Sequence, residues 1–196
     1  MNDPTPSPSL LYLQQLEEHR ELFSVMESVA EAVVAAAGLM TRCLAQGGKL
    51  MFCGNGGSAA DSQHLSAEFT GRFVRDRRPL AAIALSTDTS ALTSIANDYA
   101  FDEVFERQVE ALGRPGDCLV GISTSGNSAN VLRAFAAARR LGVTTIGLLG
   151  RDGGRLAAMS DVRVVVPSQT TARIQEAHIF IGHNLCTLVE RGLGVG

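Results

Sequence analysis

The sequence predicts an α/β fold: a five-stranded parallel sheet covered by helices on both faces and preceded by N-terminal helices. Three observations predict it. Five short runs are apolar almost without interruption, the pattern of strands buried on both faces. Stretches of helical periodicity separate them. Gly- and Ser-rich loops follow the runs, where a strand hands over to a helix.

Residues from about 10 to 45 read as helix with a bend in the twenties, because Met26, Val29, Val33, Met40 and Leu44 recur near helical spacing. Gly47-Gly48 ends this segment. Two helices ahead of the first strand are not needed to complete a sheet. Their apolar faces bury either on their own sheet or on a partner subunit. The first run, 50–53, leads into the loop Gly54-Asn55-Gly56-Gly57-Ser58 and a helical pattern. The second run is 80–85, followed by a loop at 86–89 and helix over 90–96. Asn97-Asp98-Tyr99 interrupts that helix, which resumes over 101–112. The third run, 118–122, precedes the loop 123–128 and a helix over 130–140. A fourth run at 143–149 leads to the turn Asp152-Gly153-Gly154 and a short helix. The fifth, 162–166, stops at Pro167, and a long helix runs over 171–190.

At 196 residues and 45% hydrophobic content the chain makes one core, with residues 1–46 as an arm and oligomer-forming helices and 47–196 as the main unit. A net charge of −3 without a basic tract disfavours nucleic acid as a ligand. No apolar run reads as long enough to span a bilayer, so no membrane partner is expected. The start, MNDPTPSPSL, lacks the basic and apolar regions of a signal peptide and reads as a frayed arm. Cys43, Cys53, Cys118 and Cys186 are scattered and read as buried thiols of a reducing, cytoplasmic protein. Lys49, the only lysine, precedes its strand, which argues against Schiff-base chemistry and excludes a P-loop.

In parallel sheets ligands sit beyond the carboxyl ends of the strands, which places loops 54–58, 86–89 and 123–128 on one rim. The first loop can hold an anion: its glycines let backbone N–H groups approach a ligand, and a helix start adds free donors. Ser58 is expected as the N-cap of that helix. The loop also fits G-x-G-x-x-A. The acidic residue of a dinucleotide site is not in place, however, since Asp76 precedes the second strand and Asp88 lies farther on. Loop 123–128, Ser-Thr-Ser-Gly-Asn-Ser, offers four hydroxyls and a helix start, enough to bind a phosphate without lysine, or to form an ordinary cap and turn. His64 and Glu68 are neighbours on one helix face. Together they suit a divalent metal or proton transfer, although such a pair alone also reads as a surface ion pair.

With both loops in view, GNGGSAADSQHLSAEF, IANDYAFDEVF, GISTSGNSANV and ARIQEAHIFIGHNLC together resemble the phosphoheptose isomerases of the sugar isomerase (SIS) superfamily. The resemblance is collinear over about 49–190. It implies a three-layer α/β/α sandwich, the SIS fold, and a homotetramer with active sites between subunits. The activity implied is isomerisation of D-sedoheptulose 7-phosphate to D-glycero-D-manno-heptose 7-phosphate, the first step toward the ADP- or GDP-heptose of lipopolysaccharide and related glycans. By motif match, His64, Glu68, Gln175 and His183 correspond to the ligands of one Zn(2+) per subunit. Asn55, Gly56, Gly57, Ser58, Glu68, Asn97, Asp98, Ser123, Thr124, Ser125, Ser128 and Gln175 stand at substrate positions, and Glu68 and His183 at the proton-transfer positions. Gln175 and His183 are eight residues apart, about 12 Å along an ideal helix, so reaching one ion requires long side chains or a distorted first turn. His178 reads as an outer or structural residue and His19 as a surface one. The alternatives are a non-catalytic SIS-domain binding protein of the replication-initiator-associating type and an isomerase of another phosphosugar.

Overall fold

The computed structural model describes residues 7–195, so the first six residues of the expected N-terminal arm lie outside the described part. Helix α1 (Pro8–Ser24) begins where the Ser7 hydroxyl accepts from Leu10 N and proline occupies the first turn, where no donor is missed. The expected bend is a 3-10 turn, Met26–Val29, before α2 (Ala30–Ala45). Then come β1 (Leu50–Gly54), α3 (Gly57–Thr70), β2 (Ala82–Ala84), α4 (Thr89–Asp98) and a 3-10 turn at Phe101–Glu103. The rest of the chain is α5 (Glu106–Leu112), β3 (Cys118–Ser123), α6 (Ala129–Arg140), β4 (Thr144–Gly150), α7 (Gly154–Met159), β5 (Val162–Val166) and α8 (Thr171–Leu193).

All strand pairs are parallel, in the order β2-β1-β3-β4-β5. Side chains alternate between the faces, as the strand period requires. Leu50 and Phe52 of β1 enter one core with α2, α3 and α8, while Met51 and Cys53 enter the other with α5, α6 and α7. The three layers follow from that alternation. The chain leaves β1 toward β2 on one side and reaches β3 on the other. The order therefore reverses between β1 and β3, and the crevice above that point is where such sheets bind ligands.

Two expectations need correction. The apolar run 80–85 yields a strand of only three residues. Its flanking leucines are buried for other reasons: Leu80 donates to Phe69 O under α3, and Leu85 crosses to the opposite core. Residues Met26–Ala45 are also long and apolar enough, by length and composition, to cross a membrane. Their stripe, including Val33, Ala36, Ala37, Met40 and Leu44, packs instead into the core that α8 shares.

His178 anchors α8 to the sheet. It is buried, and its Nε2 lies 3.0 Å from the Leu149 carbonyl oxygen, so Nε2 donates and the ring is neutral. Burial pushes its pKa down to about 4, against the opposing pull of that bond. The unfolded chain therefore takes up this proton first. Stability contributed above about pH 6.5 is lost as pH falls toward 4, by roughly 3 kcal/mol at most. His178→Gln is expected to flatten that part of the pH dependence in urea unfolding at about pH 7 and pH 4.5. Equal losses for variant and parent would show that the buried ring is not responsible.

Candidate functional site

The glycine loop begins at Gly54, where an added Cβ would fall 2.8 Å from Ser58 Cβ and 2.9 Å from Ile122 O. The turn into α3 is made by Gly56, at φ 56° and ψ −122°, a conformation that side chains rarely adopt. Gly56 is thus the N-cap, and the expectation for Ser58 is wrong: Ser58 lies in the first turn, buried over Gly54. The cap makes no side-chain bond; Ser58 N and Ala59 N donate back to Asn55 O and Gly56 O at 3.0 Å, which leaves the Gly57 amide to face an anion.

The hydroxyl loop is built on its neighbour. Gly126, at φ 65°, packs backbone to backbone on Gly153 and Gly154 of the β4–α7 turn. Its carbonyl accepts from Leu156 N at 2.9 Å, and Asn127 Oδ1 accepts from Arg155 N at 3.1 Å. The Ser123 and Ser128 hydroxyls lie 2.9 Å apart, and Ser128 caps α6 by position without a side-chain bond. Ser125 Oγ accepts from Asn127 N. Thr124 and Ser125 are half-buried beside them.

A residue that sequence reasoning missed joins the two loops. Asn130 is buried and exchanges two amide hydrogen bonds with Asn55, of 2.9 and 2.8 Å, while its Oδ1 also accepts from Val131 N. In sequence Asn130 is an ordinary polar residue at a helix start.

Helices α3 and α8 meet at a notch. A Cβ on Gly182 would lie 2.5 Å from Leu65 Cδ2, so the missing side chain lets Leu65 seat against α8. His64 and His183 flank that contact in sequence. Their Nε2 atoms lie 2.9 Å apart with the rings edge to face, and His64 Nε2 is 3.4 Å from Glu68 Oε1. Phe73 flanks the His183 ring at 5.3 Å between centroids. Asp61, one turn before His64, has a carboxylate oxygen buried without a partner. Burial pushes its carboxyl pKa up, and His64 pulls it back.

Two imidazoles and a carboxylate match the donor set of a catalytic zinc, whose bonds of 2.0–2.1 Å would separate neighbouring ligand atoms by about 3.3 Å. The His64–Glu68 separation fits that spacing, and the His64–His183 separation must open by a few tenths. As the side chains stand, no three His, Cys, Asp or Glu groups close on one point among the described residues. Gln175 has its amide nitrogen against Gly57 at the start of α3. It ties α8 to the glycine loop, and no hydrogen bond links it to the three. Asn97 and Asp98 are exposed at the end of α4, bonded to each other at 2.8 Å and not to either loop. His19, expected at the surface, is partly buried: its Nδ1 lies 2.8 Å from Glu176 Oε2 and its ring stacks on Phe23.

The SIS domain family matches residues 12–150, a stretch that ends before Gln175 and His183. The phosphoheptose isomerase of Rhodospirillum rubrum is 56% identical over 173 residues, 88% of this chain and 92% of its own. That of Aliarcobacter butzleri is 51% identical over 182 residues, covering 92% and 96%. Among solved structures, the phosphoheptose isomerase of Neisseria gonorrhoeae superposes with a TM-score of 0.90 at 50% identity, over 94% of this chain and all of that one. The Francisella tularensis enzyme gives the same TM-score at 37% identity and the same coverage. Identity this high over nearly the full length of those proteins carries the assignment past the fold: the chain belongs to the phosphoheptose isomerases of the SIS domain family.

Proposed function

We propose that the chain converts D-sedoheptulose 7-phosphate to D-glycero-D-manno-heptose 7-phosphate, supplying the heptose of ADP- or GDP-heptose precursors. The observation that carries this reading is the meeting of His64 of α3, which lies beside Glu68 on its own helix, with His183 of α8. The Gly57 amide of α3 and the Ala129 and Asn130 amides of α6, with Ser123, Thr124, Ser125 and Ser128, hold the phosphate without a lysine. Gln175, against Gly57, orients the sugar chain. The Glu68 carboxylate takes the proton from C1 and returns it to C2 of the enediol. His183 protonates the C2 oxygen and then accepts the proton of the C1 hydroxyl, so protons balance over the cycle. Zinc, held by His64, Glu68, Gln175 and His183, would supply a Lewis acid for the sugar oxygens.

A homotetramer with sites between subunits is part of the proposal. Its support is an apolar groove between the 3-10 turn, α2 and α8, lined by Met26, Val33, Val34, Phe180 and Leu188. Val34 is 60% and Phe180 46% exposed, and each would bury on a second copy. Asn97 and Asp98 then complete a neighbour's site. A cytoplasmic location accords with four free, buried cysteines, two of which, Cys53 and Cys186, burial pushes up to about 12.

The test is an assay of the purified protein with sedoheptulose 7-phosphate before and after a chelator. The aldose product is expected, with at least a hundredfold loss on chelation and recovery with zinc. Binding without turnover at any metal loading would overturn the isomerase reading. Turnover indifferent to chelation would remove zinc alone. Light scattering at micromolar concentration checks the tetramer, which a monomeric mass would refute.

A further inference from the structure

Glu68 and His183 act together only while α3 and α8 keep a fixed separation. The Leu65–Gly182 notch sets it at one level. A second contact lies at the end of α3, where the last carbonyls of the helix have no partner within it. The chain returns there and buries the Arg77 guanidinium. Nη2 donates to Glu68 O at 2.7 Å, and Nη1 to Phe69 O at 2.8 Å and to Gly71 O and Arg78 O at 3.1 Å. Nε donates to Glu190 Oε1 at 2.7 Å. Glu190 is on α8, two turns beyond His183. The Arg77 side chain is 2% exposed and that of Glu190 6%.

A buried ion pair is a costly way to hold two helices together, since apolar contacts of similar size stabilise as well or better. What the planar fork adds is direction. One rigid group grips the backbone of Glu68 and, through Glu190, the helix that carries His183. We propose that Arg77, held by Glu190, is a positioning residue that sets the α3–α8 separation at which Glu68, His64 and His183 work. This rests on the isomerase reading given above.

The test uses the full-length variants Arg77→Lys and Glu190→Gln. Lysine keeps the charge but cannot reach the four carbonyls. Glutamine keeps an acceptor for Nε and is the milder change, so it decides the matter should Arg77→Lys fail to fold. Lys49→Gln is the control, because it breaks the half-buried Lys49–Asp117 pair at the opposite end of the strands. Expected for both variants are native circular dichroism, KM within about threefold, and kcat down 10- to 100-fold, as a displacement near 1 Å would give. Zinc affinity, measured by calorimetry with zinc alone, is expected to fall about tenfold or more. Lys49→Gln is expected to lower the Tm without either loss. Unchanged kcat and zinc affinity in folded Arg77→Lys and Glu190→Gln, or equal losses in the control, would overturn the proposal. Because zinc binding is read without sugar, the two readings fail separately. A parent that binds zinc but turns over nothing sinks the isomerase reading, while an active parent with two indifferent variants sinks only the clamp.

Discussion

Glu68→Gln is expected to leave the fold and substrate affinity intact while lowering kcat by about a thousandfold, within the range for removal of a positioned general base. The fold survives because the Glu68 carboxylate is a fifth exposed and its contact with His64, at 3.4 Å, can be kept by an amide oxygen. The backbone carbonyl that Arg77 grips is unchanged by the substitution. An amide cannot take the C1 proton at neutral pH, so exchange of that hydrogen with solvent deuterium should stop along with turnover. Zinc should also bind less tightly, since an amide oxygen is a poorer ligand than a carboxylate. Near-native turnover, or continued exchange at C1, would remove Glu68 as the base whatever happened to the metal.

The second large effect is expected from Gly126→Ala. The new Cβ would overlap the Gly153 carbonyl and lie 2.8 Å from Gly154 N. These are backbone atoms, so no side chain can turn aside. Alanine at φ 65° adds a left-handed strain of about 1–2 kcal/mol, and overpacking typically adds 1–3 kcal/mol. For a chain of this size the Tm should fall by about 5–15 °C. The hydroxyl loop must also lift from the β4–α7 turn. Affinity for the phosphorylated sugar should drop at least tenfold, with zinc affinity unchanged. Thermal denaturation and titrations with the sugar and its 7-phosphate measure both. A Tm within about 2 °C of the parent would show that the packing on Gly153 is not tight, and an equal loss for the two sugars would show that this loop does not carry the phosphate.

What could be read from the sequence was whatever repeats locally. Each apolar run is its own evidence for a strand, and each Gly- or Ser-rich loop follows directly from it. The rim of loops was therefore foreseeable. Ser58 misled because hydroxyl residues favour N-caps, whereas the cap position takes a positive φ that Gly56 supplies. β2 was overestimated because apolarity reports burial, and Leu80 and Leu85 are buried against helices on opposite faces. The Asn55–Asn130 pair spans 75 positions and the Arg77–Glu190 pair 113, so neither leaves a local signature. Resemblance supplied His183 and Gln175, but only coordinates could put the first against His64 and the second at the glycine loop.

Helix α8 has a bearing on how the chain becomes active during synthesis. It is translated after every strand, yet it brings His183, Gln175 and the Glu190 anchor. A nascent polypeptide still short of residue 171 can hold both loops and the proposed base, Glu68, but lacks the proposed acid, His183. The apolar surface of α2 and α3 that α8 covers stays bare until those last turns clear the ribosome. On the proposed mechanism, catalytic competence and protection from aggregation thus arrive in one docking event, after every strand has been made.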